Sequence, residues 1–459
     1  MIKIKTDSRK IVAGDTYVAL PGISSDGHDY IEKAIENGAS KIIAQHGSYS
    51  VETIIVKDTR AYLNELLKKE YGNILNDMTL IGITGTNGKT TSSYLIYQML
   101  NKLNIPCCYI GTIGFYLNDK VKNLPNTSVD IADFYGLLIE AYEKGYKHAV
   151  VEVSSQGLSM GRFSMVKFDI GVFTNLTRDH LDYHGNMKNY AIAKQMLFKQ
   201  LKKNGKAIIN NDDEYKNYYL LKQNNNITFG LNSGDYKINN FKMNNSNTLF
   251  NYIFNNEEYR TSSTLIGKYN LYNLITSIAV VHELGIDFDK INRVVPLILS
   301  PNGRMDKINY LDNTIIIDYA HTPDAIENII STIKEVIEGN LYVVFGCTGS
   351  RDRSKRPIMT NLVLSNANKA IITIDDPHEE NPVEIVEEML KNNTLNNYEV
   401  ELNRGKAIRR GIDLLKNKDT LLILGKGHEE VIIMGNKKIP FNDKEEVLKY
   451  IEELKVEIR

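Results

Sequence analysis

The segment Gly82-Ile-Thr-Gly-Thr-Asn-Gly-Lys-Thr-Thr-Ser92 carries the residue types needed to hold a polyphosphate. Gly85 and Gly88 let the backbone curl until several N–H groups point at one anion. A helix that begins at this point adds the positive end of its dipole. Lys89 is placed to reach β- and γ-phosphates and Thr90 to ligate Mg²⁺, with Thr86, Asn87 and Thr91 completing the ATP-binding loop. Ile83 stands where the strict phosphate-loop pattern has glycine. A strand-to-helix turn carrying Gly-Lys by chance is the plain alternative, but every physical requirement of a phosphate loop is met. Such a loop defines a user of nucleoside triphosphates and leaves kinases, motors, switches and ligases open.

Two further stretches have chemistry-bearing residues after apolar runs. Glu152 ends HAVVEV and is followed by Ser154, Ser155 and Gly157. A carboxylate beside a bound triphosphate is suited to hold Mg²⁺. The segment NLTRDHLDYHG (175–185) is dense in Asn, Asp and His, and Lys194 lies on the helical pattern after it. Alone, such a glutamate is more often a cap and such a histidine merely solvated. A different loop, Thr373-Ile-Asp-Asp-Pro-His-Glu-Glu-Asn-Pro382, packs Asp375, Asp376, His378, Glu379 and Glu380 behind an apolar strand. It is suited to a cation, a metal or plain solvent, with a metal least favoured because no ligand from a second element is evident.

These residues need a scaffold that brings distant loops together. The run TLIGIT (79–84) reads as a strand, and Leu95, Ile96, Met99, Leu100 and Leu103 fall on one face of the helix after it. HAVVEV and DIGVFTN read as further strands, so strands and helices alternate as in a parallel sheet with crossover connections. In such sheets ligands bind beyond the carboxyl ends of the strands, which sets Glu152 and the 175–185 loop facing the phosphate loop. Residues 225–262 alternate polar and apolar and read as antiparallel ribbons. From about residue 300 strands near 313–318, 341–345, 369–374, 398–402 and 420–424 alternate with helices, the last helix near 443–455. The fold class is α/β in three domains. Residues 1–76 form a small α/β unit, 77–299 a central phosphate-loop sheet, and 300–459 a Rossmann-like doubly wound domain.

The 459 residues exceed one core, and a net charge of −1 gives no global field for nucleic acid or anionic membrane. No apolar run approaches the roughly 18 residues that span a bilayer, and the start lacks a signal peptide's apolar core. Three cysteines form no disulfide framework, which fits a reducing cytoplasm. The expectation is a cytoplasmic monomer.

TGTNGKTT, EVSSQGL, NLTRDHLDYHG with Lys194, GKYNLYN (267–273), NGRMD (302–306) and DYAHTPDA (318–325) resemble the motifs of the Mur ligase family, in the family's order and over nearly the whole chain. The N-terminal TDSRKIVAGDTYVALPG, VFGCTGSRDRSKRP (344–357) and LGKGHEE (424–430) extend the resemblance toward members that add the third residue of the peptidoglycan stem. It implies a UDP-binding unit, a central ATPase and a C-terminal amino-acid-binding domain. It implies ATP and Mg²⁺ as cofactors, with UDP-N-acetylmuramoyl-L-Ala-D-Glu and a diamino acid as substrates. ATP then phosphorylates the D-glutamate carboxylate, and the incoming amine displaces phosphate through a tetrahedral intermediate.

By position, the resemblance gives Lys89 the transferring phosphoryl group, Thr90 and Glu152 one Mg²⁺, and His180 with Glu152 a second. Lys194 matches a lysine that becomes carbamylated, which turns a repelling ammonium into an anionic metal ligand. Asn273, Arg304 and Asp318 match nucleotide-binding positions. Ser8 matches a UDP contact, and Thr127, Ser128, Ser154 and Arg162 match contacts to the muramoyl-peptide. Arg351, Gly425 and Glu429 match amino-acid-binding positions, Arg351 for the α-carboxylate.

In the family's diaminopimelate-adding members the loop at 375–378 reads Asp-Asn-Pro-Arg, and its arginine clamps the distal carboxylate. Here the four positions are Asp-Asp-Pro-His. On charge alone Asp376 repels a distal carboxylate and favours an ammonium, so lysine or ornithine is expected ahead of meso-diaminopimelate. A protonated His378 as carboxylate partner is the alternative. A folylpolyglutamate synthetase would lack the N-terminal unit, and a phosphate-loop motor or switch would lack GRMD and DYAHTPDA. A non-catalytic nucleotide-binding relative would be expected to have lost Lys89, Glu152, His180 or Lys194.

Overall fold

The computed structural model describes residues 3–22, 26–222, 225–244 and 247–457. The strand Thr79–Thr84 is apolar between its two terminal threonines because it is covered on both faces. Leu80 packs into one core with Val151, Phe168 and Phe173, while Ile81 and Ile83 pack into another with Leu95, Ile96 and Ile275. Each such side chain, fully removed from water, contributes about 1.5–3 kcal/mol.

This strand sits inside an eleven-stranded sheet, between Phe168–Phe173 and His148–Glu152, and runs parallel to both. Parallel pairing makes all three carboxyl ends emerge at one edge. That edge receives the phosphate loop, Glu152 and the segment beginning at Thr174. The ribbons expected over 225–262 are only partly antiparallel. Tyr236–Met243, Thr248–Phe254 and Glu257–Ser263 pair that way, but Asn226–Gly230 runs parallel to Leu201–Asn210 and joins the same sheet. Its run Asn-Ile-Thr-Phe-Gly alternates as expected, but alternation does not encode strand direction, which is set by its neighbour.

A four-stranded parallel sheet precedes this one, in the order Ile4–Lys5, Thr16–Val18, Lys41–Ala44, Glu52–Ile55. The helix Thr59–Asn76 leads out of it, capped by Asp58, whose side chain accepts from the amides of Arg60 and Ala61 at 2.9 and 3.0 Å. Its Leu63 and Leu67 share the core of Leu80, so the small unit is packed against the central sheet.

A six-stranded sheet follows, in the order Asp306–Tyr310, Asn313–Asp318, Thr420–Leu424, Leu341–Cys347, Lys369–Ile374, Tyr398–Val400. Only the first edge strand is antiparallel. Helices cover both faces, with Phe345 and Leu422 in one core and Val344 and Ile423 in the other. The adjacent ends of Lys369–Ile374, Leu341–Cys347 and Thr420–Leu424 deliver the acid loop, the turn before Arg351 and Gly425 to one edge. Val431–Met434 and Lys437–Pro440 form a separate hairpin beside it. Among the described residues no helix is long and apolar enough to cross a membrane.

Candidate active site

The phosphate loop is held from the neighbouring strand end. Asn87 N donates to Asn175 Oδ1 at 2.9 Å, and Asn87 O accepts from Thr174 Oγ1 at 2.6 Å and Asn175 Nδ2 at 3.1 Å. Gly88 has φ +83, and a Cβ there would stand 2.6 Å from Asn273 Oδ1. Glycine is needed both for the backbone and for this close approach. The helix Lys89–Lys102 begins at once, so its free N–H groups face the loop's concave side.

Two lysines converge on one carbonyl. Lys89 Nζ donates to Gly85 O at 2.9 Å and Thr86 O at 2.8 Å, and Lys194 Nζ donates to Gly85 O at 2.7 Å. Burial lowers the pKa of Lys89 and drives that of Lys194 far below the usual lysine range, and the Lys89 charge pushes Lys194 further down. Lys194 also lies 4.4 Å from the centroid of the Tyr190 ring, whose hydroxyl is 3.3 Å from Thr86 Oγ1.

Glu152 is fully buried, one layer behind Thr90. Its Oε2 accepts from Thr90 Oγ1 at 2.9 Å and Thr112 Oγ1 at 3.0 Å. Its Oε1 accepts from Thr112 N at 3.0 Å and from the Tyr109 hydroxyl. Hard oxygen donors next to a polyphosphate loop fit Mg²⁺. His180 has φ +51, and its Nε2 lies 3.4 Å from Asp179 Oδ2. Burial lowers the His180 pKa while Asp179 pulls it back up.

Two cavities meet at the loop. One, of about 690 Å³, is lined by Asn273, Arg304 and Asp318 together with Tyr269 and Tyr319. The Arg304 guanidinium lies 4.4 Å over the Tyr319 ring, and Asp318 accepts from Met305 N and Ala320 N, each at 2.8 Å. Asn87, Gly88 and Thr91 belong to both cavities. The second, of about 1060 Å³, runs from Lys89, Thr90, His180 and Lys194 past Thr127, Ser128, Ser154 and Arg162. It ends in the C-terminal domain at Arg351, Asp375, Asp376, His378, Gly425 and Glu429. Gly85 and Glu152 lie beneath its floor. Ser8 lines neither cavity; it is buried in the N-terminal unit, where its carbonyl accepts from Asn37 Nδ2 at 2.9 Å.

Within the large cavity, Ser128 Oγ donates to Glu152 O at 3.2 Å and accepts from Ser154 N at 3.0 Å, and its carbonyl accepts from Arg162. Thr127 and Thr112 hydroxyls are 2.9 Å apart. The peptide-side residues are thus tied to the strand end carrying Glu152.

The acid loop differs from its sequence reading. Lys426, fully buried, donates to Asp376 Oδ1 at 2.8 Å and Glu429 Oε2 at 2.7 Å and lies 3.7 Å from Asp375. Burial disfavours its charge, but the three carboxylates outweigh that and raise its pKa. Asp376, expected to favour a substrate ammonium, is already paired by the protein's own ammonium. Glu429 does supply the second-element ligand that sequence did not reveal, since it, Asp375 and Asp376 bring oxygens within 4.8 Å of one another. Lys426 fills that space, so the cluster is an ion-pair network and not a metal centre. Burial pushes Asp375 up to about 7 against the pull of Lys426 and Arg404. Gly425 has φ +113, and a Cβ would stand 2.3 Å from Asp375 Oδ2. Arg404 braces both strand ends, pairing with Asp443 at 2.7 Å and donating to the carbonyls of Ile374 and Leu424 at 3.0 Å.

Tyr109, Thr112, Asp179, Arg404 and Lys426 escaped sequence reasoning. Lys426 and Asp179 had a signal, lying inside the LGKGHEE and NLTRDHLDYHG motifs; the others are single residues in ordinary contexts.

A polyphosphate loop and a charged pocket from another domain, facing one cavity, fit a nucleotide-driven ligase. The comparisons agree. Family models described as "Mur ligase family, catalytic domain", "Mur ligase middle domain" and "Mur ligase, glutamate ligase domain" match residues 3–75, 83–281 and 303–427. A UDP-N-acetylmuramoyl-L-alanyl-D-glutamate–2,6-diaminopimelate ligase of Clostridium acetobutylicum is 36% identical over 456 residues, 98% of this chain and 94% of that protein. One from Aquifex aeolicus is 38% identical, over 96% and 91%. A solved structure of a ligase with that same name is 31% identical with TM-score 0.68, over 98% and 95%. The MurF ligase of Thermotoga maritima in complex with ADP shares the fold at TM-score 0.72 and 19% identity, over 99% and 98%. The chain belongs to the Mur ligase family. It is an ATP-dependent ligase that joins an acid to an amino acid.

Proposed function

We propose that this protein joins 2,6-diaminopimelate to UDP-N-acetylmuramoyl-L-Ala-D-Glu, forming ADP and phosphate, in cytoplasmic peptidoglycan precursor synthesis. The observation that carries this is the single cavity running from Lys89 to Glu429, which lets a phosphorylated acid meet an amine without leaving the site. Diaminopimelate takes the place of the expected lysine or ornithine for two reasons. The full-length relatives carry it in their names, and Lys426 removes the charge argument against it.

The domains act as 1–76 for the UDP portion, 77–299 for ATP and 300–459 for the amino acid. Asn273, Arg304 and Asp318 hold the nucleoside, and Ser8 serves the UDP end. Thr127, Ser128, Ser154 and Arg162 orient the peptide so that its D-glutamate carboxylate lies in line with the γ-phosphate. Lys89 leaves the loop carbonyls for the phosphoryl oxygens and offsets charge as the acyl phosphate forms. Thr90, Glu152, His180 and carbamylated Lys194 would hold Mg²⁺, which neutralises phosphate charge when bound. The depressed pKa of Lys194 keeps a neutral amine available; it adds to CO₂ and releases a proton, giving the carbamate. The amino acid's neutral amine then attacks the acyl carbon, Arg351 holding its α-carboxylate, and phosphate departs.

The test is phosphate release from ATP and UDP-N-acetylmuramoyl-L-Ala-D-Glu with meso- and LL-diaminopimelate, L-lysine and L-ornithine in separate assays. Turnover with a diaminopimelate isomer at least about tenfold more efficient than with lysine or ornithine is expected. The reverse order would overturn the assignment.

A further inference from the structure

The amino-acid end of the cavity contains more cations than the sequence motifs account for. Lys120 is paired with Glu430, Lys355 with Asp179, Arg356 with Glu380 and Glu388, and Lys426 with its three acids. Among the described residues of the C-terminal domain that line the cavity, Arg304, Arg351 and Lys438 have no carboxylate ion pair, and Arg304 is stacked over the Tyr319 ring, which leaves Arg351 and Lys438. Lys438 lies in the strand Lys437–Pro440, directly opposite Ile433. Side chains of a directly opposed pair share a face of the ribbon. Val431, Ile433 and Lys438 all line the cavity, while Met434 and Lys437 do not, so the alternation puts Lys438 on the cavity face of the hairpin, where it stays solvent-exposed.

His378 stands where the arginine of the resembling diaminopimelate ligases stands, but it is short of that role. Its backbone is pinned to the hairpin, with His378 N donating to Ile433 O at 3.0 Å and His378 O accepting from Gly435 N at 2.6 Å, at φ +51. An imidazole also lacks the planar fork that grips a carboxylate through two parallel N–H bonds. The same backbone bonds fix the hairpin, and with it Lys438, against the acid loop.

We propose that Lys438 is the residue that binds the distal carboxylate of the incoming diamino acid, replacing the arginine that His378 has displaced; this rests on diaminopimelate being the substrate. Diaminopimelate presents two carboxylates, and two unpartnered cations await them, Arg351 for the α-carboxylate and Lys438 for the distal one. Lysine presents only one. The distal ammonium then lies toward Asp376 and Glu429.

The experiment is steady-state kinetics of the full chain, wild type and Lys438→Met, Lys438→Arg, and Lys438→Met combined with His378→Arg. Loss of one charged contact is expected to raise the KM for diaminopimelate about 10- to 100-fold. KM for ATP should stay within about threefold, as should KM for diaminopimelate in Lys438→Arg. Adding His378→Arg should recover most of the lost affinity. A Lys438→Met enzyme with near-wild-type KM for diaminopimelate, or a raised KM that His378→Arg does not restore, would overturn the contact while leaving the substrate assignment standing. A wild-type enzyme that uses lysine and ignores diaminopimelate would overturn both.

Discussion

Replacing Lys426 by methionine takes the directly paired ammonium out of a cluster of three carboxylates, Asp375 and Asp376 buried and Glu429 part-buried. Its Nζ lies 2.7 Å from Glu429, 2.8 Å from Asp376 and 3.7 Å from Asp375, with the side chain wholly inaccessible. At an effective dielectric of about 20, each such contact is worth roughly 4–6 kcal/mol before solvation. Dehydrating the ammonium cancels much of this, yet deleting one partner leaves the acids buried and uncompensated, a cost of about 3–5 kcal/mol. Asp375, with a pKa of about 7, relieves part of the strain by taking a proton. The assay is calorimetric unfolding of wild type, Lys426→Met, Glu429→Gln and the double variant at neutral pH. Lys426→Met should destabilise the C-terminal domain by about 3–5 kcal/mol. The double variant should cost about 0.5–3 kcal/mol less than the sum of the two singles, because the pair is coupled. A Lys426→Met protein within about 1 kcal/mol of wild type would refute the view that this lysine neutralises the cluster.

Other consequences follow from the same geometry. Lys194→Ala should lower kcat by at least about 10²-fold, the scale for losing a preorganised charged group, and ¹³C-bicarbonate should give a carbamate signal in wild type that the variant lacks. Thr112→Val removes a hydroxyl held 3.0 Å from Glu152 and should raise the Mg²⁺ concentration for half-maximal activity about 10-fold, measured by titration with Mg²⁺. Asp375 titrates at about 7 when folded against a model value of 3.8, so the folded chain keeps a proton between those values. Its contribution to stability is complete below pH 4 and lost as pH rises to 7. The stability of wild type relative to Asp375→Asn should therefore fall between pH 4 and 7 in denaturant titrations, and a flat difference would contradict it. Gly425→Ala places a methyl 2.3 Å from Asp375 at φ +113 and should raise the amino-acid KM and lower the C-terminal domain's unfolding temperature.

The sequence by itself determined the parallel sheets, because strands covered on both faces need a continuous apolar run, as in the middles of TLIGIT and HAVVEV. It determined the phosphate loop, whose glycines, lysine and threonine are contiguous and depend only on local backbone geometry. Strand ends in a parallel sheet share an edge, so it also set Glu152 and Lys194 beside the phosphate loop and the acid loop with Asp376 at the edge of a second sheet; that the two edges face one cavity follows only from the packing of the domains. What those charges meet was decided only by the tertiary structure. Lys426 is one residue from Gly425 and fifty from Asp376, and only the pairing of Lys369–Ile374 and Thr420–Leu424 with Leu341–Cys347 brings those loops together. The same holds for Tyr109 and Thr112 around Glu152 and for Lys438, whose inward face follows from hairpin register. Local sequence encodes conformation and burial. The field inside a cavity is a sum over chains of residues distant in sequence, and it exists only once they are packed against one another.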